Sequence, residues 1–158
     1  MPEMPAPGDP APDFAAPDQT GATVRLADFA GRTLALYVYP KDETPGCTTQ
    51  ACNLRDNHQA LLDAGVAVVG VSPDPVGSHR LFADAHGLPF PLLADPDREI
   101  LRAYGAWGEK TLYGRTSVGV KRTTFLIGPD GRVLHVFKRP KTGDHAREIL
   151  AKLDALSA

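Results

Sequence analysis

The chain has 158 residues, of which 42% are hydrophobic and 23% charged, figures that suit one globular domain with a buried core. Its net charge is −2 and it carries no basic run, so non-specific binding to nucleic acid or to a membrane surface gains little support. The longest apolar runs, "TLALYVY" and "VAVVGVS", fall far short of the ~20 residues of a membrane span. No basic segment followed by an apolar one opens the chain, so no signal peptide is read. The cytoplasm is the expected compartment, and a purely structural disulfide would be unusual there.

In chain order, residues 1–13 are rich in proline and read as an extended arm. A turn at Asp18–Gly21 precedes a short strand over Ala22–Leu26. Thr33–Tyr39 is apolar almost throughout and reads as a buried strand that Pro40 ends. Residues 44–64 read as one helix, with Pro45 in its first turn and Gly65 past its end. Val66–Ser72 is a second buried strand. "GSHRLFADAHG" is a short helix ended by Gly87, "FPLLAD" a short strand, and "PDREILRAYG" a helix closed by Gly105. The glycine-spaced stretch "WGEKTLYGRTSVGVK" reads as a loop or hairpin. Strands "TTFLIG" and "RVLHVFK" flank a Pro129–Gly131 turn and form a hairpin. "GDHAREILAKLDAL" is an amphipathic helix with Ala146, Ile149, Leu150 and Leu153 on one face. This order implies an α/β sandwich around a mixed sheet, compatible with a thioredoxin-like fold.

The chemistry concentrates in "YPKDETPGCTTQAC", which holds both cysteines, Cys47 and Cys52. Cys47 falls in the first turn of a helix that follows a buried strand. Free backbone N–H groups and the helix dipole favour an anion there, so the thiol is expected to react as thiolate. Gly46 removes bulk beside the sulfur. Thr44 stands one turn earlier, where its hydroxyl can face the same pocket or cap the helix. On a helical wheel Cys52 shares the opposite side with Arg55, Asp56, Gln59 and Asp63. It is therefore expected to be more exposed, with its sulfur pointing away from that of Cys47.

A C-x₄-C spacing is not the C-x-x-C of a redox turn, and zinc sites usually draw on four Cys or His ligands. The histidines, at 58, 79, 86, 135 and 145, are scattered and read as surface or helix-terminal residues. "GRTSVGVK" lacks the spacing of a phosphate loop, and "DPD" at 95–97 reads as ordinary helix capping. The residues alone leave open a buried structural cysteine, a disulfide oxidoreductase, a metal clip, an interaction domain without catalysis, and a peroxide-reactive thiol.

"PKDETPGC" resembles the P-x-x-x-T-x-x-C motif of the peroxiredoxins, at Pro40, Thr44 and Cys47. The continuation "TTQACNLRD", with "WGEK" and "RTTFLI" downstream, is similar to the bacterioferritin comigratory protein (Q-type) subgroup from Pro12 onward. The resemblance implies a single thioredoxin-like domain over 1–158 that reduces hydroperoxides with no metal or organic cofactor. It makes Cys47 the peroxidatic and Cys52 the resolving cysteine, adds Arg122 as the arginine facing the reactive sulfur, and sets Pro40 over the site. It further implies a Cys47–Cys52 disulfide recycled by thioredoxin or a similar dithiol, in a monomer. Residues five apart in a regular helix have Cα atoms roughly 8–9 Å apart, whereas a disulfide needs ~4.4–6.8 Å, so such a bond requires the helix to unwind.

Overall fold

The computed structural model describes residues 4–157. Its centre is a five-stranded sheet built on β3 (Thr33–Val38). On one side β3 pairs in parallel with β4 (Val66–Ser72), and β4 with β5 (Leu92–Ala94). On the other it pairs antiparallel with β8 (Thr123–Ile127), which pairs with β9 (Val133–Phe137). A mixed sheet of this order, with helices on both faces, is the thioredoxin-like arrangement.

Burial on both faces explains why β3 reads as a continuous apolar run. Ala35, Tyr37 and Tyr39 point into one core with Leu54, Leu61, Phe82, Leu126 and Ile149. Leu34, Leu36 and Val38 point into the other with Val69, Val71, Tyr104 and Phe125. The first core lies under α1 (Pro45–Asp56), α2 (His58–Asp63), α3 (Val76–His86) and α5 (His145–Ser157); α4 (Glu99–Ala103) covers the second. Gly70 of β4 is required by close approach: a Cβ there would stand 2.8 Å from the Tyr37 ring and 2.9 Å from Leu92.

The expected helix over residues 44–64 is two helices. The chain breaks at Asn57, whose side chain donates to the Asn53 carbonyl at 2.8 Å and so competes with the backbone ladder. The glycine-spaced stretch is a hairpin of β6 (Trp107–Leu112) and β7 (Arg115–Val120), paired over six positions. Tyr113 and Gly114 both have positive φ, 54° and 75°, as a two-residue hairpin turn demands. The strand expected over Ala22–Leu26 is β2 (Thr23–Arg25); sequence reading missed its partner in a small ribbon, β1 (Ala15–Pro17), and a 3₁₀ turn at Leu26–Phe29. Three-residue strands are too short to show a period.

Residues 1–3 of the expected arm lie outside the described residues. The remainder is tied to the sheet: Gly8 N–H donates to the Val133 carbonyl at 2.8 Å, and Val133 N–H to that of Asp9 at 2.8 Å. The arm thereby shields the start of an edge strand.

The histidines are not all superficial. His79, the fourth residue of α3, and His145, the first residue of α5, are both fully buried. His145 donates from Nδ1 to Glu148 at 2.9 Å and accepts at Nε2 from the Thr124 hydroxyl at 2.8 Å. Burial pushes its basicity down, and this outweighs the opposing pull of Glu148. The unfolded chain therefore takes up a proton first as pH falls below the ordinary histidine value of about 6.5. Stability is full above that value and lost as pH descends toward His145's lower folded value. Urea unfolding at pH 7.5 and 5 should show this loss, and His145→Gln should reduce it.

Candidate active site

The site forms where β3 ends and α1 begins. Thr44 is the N-cap residue, with extended backbone, and Pro45 occupies the first turn. The Thr44 hydroxyl does not cap the helix; it donates to the Lys41 carbonyl at 2.8 Å. The capping expectation is thus corrected: that hydroxyl closes the preceding loop. Within the first turn, Cys47 is buried to 1% exposure. Its sulfur accepts from Arg122 Nη2 at 3.1 Å, across 75 residues of sequence. The same guanidinium donates from Nη1 to the Gln50 side-chain oxygen at 2.6 Å. Gln50 lies one turn after Cys47 and is fully buried, so it aims the arginine from below. A Cβ on Gly46 would stand 3.2 Å from Arg122 Nη2, which is why the residue before the cysteine has no side chain. The arginine thus adds charge-assisted donation to the helix-terminal N–H groups.

Pro40 lines an open depression of about 410 Å³, together with Val120, Arg122 and Pro140. Lys110, Lys121, Lys138 and Arg139 complete its wall, which contains no acidic side chain.

The loop between β3 and α1 hangs on a buried carboxylate. Asp42 accepts from the Tyr39 hydroxyl at 2.6 Å, Ser78 at 2.7 Å and His79 Nδ1 at 2.7 Å, while His79 Nε2 meets the Leu93 carbonyl at 2.8 Å. Burial alone would raise the Asp42 carboxyl, but the bonds from His79, Tyr39 and Ser78 bring it below its ordinary value. Asp42 N–H donates to Asp74 at 2.8 Å, and Ser72 to the same oxygen at 2.7 Å. Asp42, Asp74 and His79 offer ligand atoms within 4.8 Å of one another, but these bonds already occupy both imidazole nitrogens and join the two loops. Sequence reading missed this network and Gln50. The available signal was helical spacing: His79 stands three, four and seven residues before Phe82, Ala83 and His86, on the face that α3 buries.

Cys52 lies further along α1 and is half-buried, with its thiol free, as is that of Cys47. The helix runs unbroken through both cysteines. The Cys52 sulfur lies 3.9 Å from His86 Nδ1.

A sulfur held against a guanidinium at a helix N-terminus, on a thioredoxin-like sheet, defines a thiol-dependent redox enzyme. The AhpC/TSA family model matches residues 7–136, and the chain belongs to that family. Peroxiredoxin Bcp of Escherichia coli K12 is 47% identical over 143 residues, 90% of this chain and 92% of that protein. Peroxiredoxin Bcp of Bacillus subtilis 168 is 40% identical over 150 residues, 95% of this chain and 96% of that one. A solved structure of the bacterioferritin comigratory protein of Xanthomonas campestris, from work on its alkyl peroxide reduction activity, superposes with a TM-score of 0.86. That match has 34% identity and covers 98% of each chain. The protein is a thiol peroxidase: it reduces hydroperoxides with electrons from a thiol reductant.

Gln50 generates a direct prediction. A hydrogen bond to a charged group contributes about 1.5–3 kcal/mol. Gln50→Ala should free Arg122 and slow alkylation of Cys47 by iodoacetamide severalfold at pH 7, measured in a Cys52→Ser background. An unchanged rate would show that Arg122 needs no brace.

Proposed function

We propose that Cys47 meets the hydroperoxide and Cys52 resolves the product; the 3.1 Å contact between Arg122 and the Cys47 sulfur carries this reading. The Cys47 thiolate attacks the terminal oxygen of R–O–O–H in line with the O–O bond. The sulfur is oxidised to a sulfenic acid, and the departing alkoxide takes a proton to become the alcohol, or water when R is hydrogen. Arg122, the free backbone N–H of Cys47 and the Thr44 hydroxyl, turned from Lys41, hold the two oxygens as charge moves to the leaving one. Pro40 limits solvent at the mouth.

Cys52 then displaces the sulfenic hydroxyl as water and forms the Cys47–Cys52 disulfide. A dithiol partner, thioredoxin in this reading, reduces it through a mixed disulfide. The working unit is one monomeric domain in the cytoplasm. No helix among the described residues is long and apolar enough to cross a membrane.

The intact α1 keeps the two cysteines too far apart for a bond, since five helical residues span roughly 8–9 Å between Cα atoms. The first turns, from Cys47 to about Arg55, must unwind after oxidation. Thr48 and Thr49 are poor helix formers, which lowers the cost.

Two measurements test this. Cys47→Ser should abolish peroxide turnover with thioredoxin, thioredoxin reductase and NADPH while leaving the fold intact; substantial residual turnover would remove Cys47 from its role. Amide hydrogen exchange over residues 47–55 should be faster in the oxidised than in the reduced protein. Equal exchange in both states would exclude the unwinding.

A further inference from the structure

His86, the last residue of α3, sits between the second cysteine and an acidic side chain that the mechanism so far leaves unused. Its Nδ1 lies 3.9 Å from the Cys52 sulfur, within the longer reach of a sulfur hydrogen bond. Its Nε2 lies 3.3 Å from Glu43 Oε1. Nε2 is buried, and no hydrogen bond of good geometry satisfies it among the described residues, so the carboxylate is its nearest ionic partner. Glu43 itself is 57% exposed and free to close that gap by a small rotation. Its backbone has φ 64°, a conformation uncommon for a residue with a side chain, and it belongs to the loop that leads into α1.

We propose that His86 is the general base for the resolving step, taking the proton from Cys52, and that Glu43 positions its imidazole for that task. A carboxylate only accepts, so Glu43 fixes the imidazole proton on Nε2 and leaves the Nδ1 lone pair directed at the Cys52 thiol. Nucleophile, base and orienting carboxylate thus stand in the order common to activated thiols. The arrangement is held from two sides. His86 packs edge-on against Phe82, ring centroids 5.2 Å apart, and its backbone carbonyl accepts from Arg55 Nη1 at 2.7 Å. Arg55 belongs to the same helix as Cys52, so the base and the nucleophile are tied together through α1 and α3.

The charges facing Cys52 suit a thiolate. Arg55 of α1 is a cation beside it, partly offset by the exposed Asp56 that Arg55 also binds. From β3 the buried Tyr37 faces it as a phenol that stays protonated. Glu43 is the remaining acid, on the far side of the imidazole.

The step rests on the disulfide reading above. The Cys52 proton passes to His86 Nδ1. The resulting thiolate forms the S–S bond to Cys47 as the sulfenic S–O bond breaks, and the departing hydroxide takes a proton to become water. Cys52 is oxidised as the sulfenic sulfur is reduced, so the step needs no further oxidant. Deprotonation happens while α1 is folded, and unwinding then carries a ready nucleophile to Cys47.

The first test needs no peroxide, so it stands whether or not the disulfide reading does. In a Cys47→Ser background, iodoacetamide alkylation of Cys52 is followed against pH. With His86→Asn the rate at pH 7 should fall about fivefold, and the difference should vanish at high pH, where the thiol ionises unaided. A rate that is unchanged or faster would overturn the proposal, since a residue that merely covers the sulfur or latches the helix would expose it on removal. Should His86→Asn fail to fold, the exposed Glu43→Gln gives the same readout: about a twofold fall is expected, and no change overturns it. In the protein with both cysteines, the sulfenic acid formed by one equivalent of peroxide should persist longer in the variant by the same factor. An equal lifetime would remove His86 from the resolving step.

Discussion

The geometry of the site depends on one buried carboxylate. Asp42 is 5% exposed, and a carboxylate so placed is tolerated only when it is fully hydrogen-bonded. Tyr39 reaches it from the end of β3, and Ser78 and His79 from α3. These bonds fix the path of the loop from Pro40 to Thr44, and therefore where α1 starts. Arg122, the residue just before β8, enters from the other side of β3. The 3.1 Å contact with Cys47 depends on where both approaches end.

From that start, α1 faces two ways. Cys47, Gln50, Ala51 and Leu54 are buried against the sheet, and these anchor the helix. Cys52 and Arg55 instead meet α3 through His86, and Asn53 meets the entry to α5, accepting from Ala146 N–H at 2.9 Å and donating to the Gly143 carbonyl at 3.1 Å. Apart from Gln50, which holds Arg122, the buried face is apolar, whereas the contacts to α3 and α5 are polar and half-exposed. Polar contacts of this kind contribute about 1 kcal/mol each, so they can be exchanged for water during an excursion. Leu54 and Leu61 are buried in the first core and would keep it closed during the proposed unwinding.

The sequence displays some of this plainly and hides the rest for physical reasons. The buried strands are legible because burial on both faces leaves no polar residue in Leu34–Val38 or Val66–Val71. The position of Cys47 in a first helical turn is legible from Pro45 and from the strand before it. The end of α1 is not, because Asn57 breaks the helix with a side-chain bond that propensity does not weigh. Arg122 stands 75 residues from Cys47, and no local pattern joins them; resemblance to a family supplies the pairing, not spacing. His79 is hidden by a prior, since histidine in a short helix is more often at the surface than in the core. Gln50 and His86 are hidden because their partners lie 72 and 34 residues away in the chain.

One helix is asked for two incompatible things. To hold an anion at Cys47 it must be helical there, because the donors that favour the thiolate are the N–H groups that a formed first turn leaves free. To join Cys47 to Cys52 it must cease to be helical over the same residues. In the proposed mechanism the two demands are met in sequence, because oxidation would remove the charge that the first turn stabilises. Once the thiolate has become a sulfenic acid, Arg122 and the helix terminus lose their anionic partner, and the folded turn loses part of its advantage over the unwound one. Thr48 and Thr49 keep that advantage small to begin with. On that proposal the redox state of a single sulfur biases the helix.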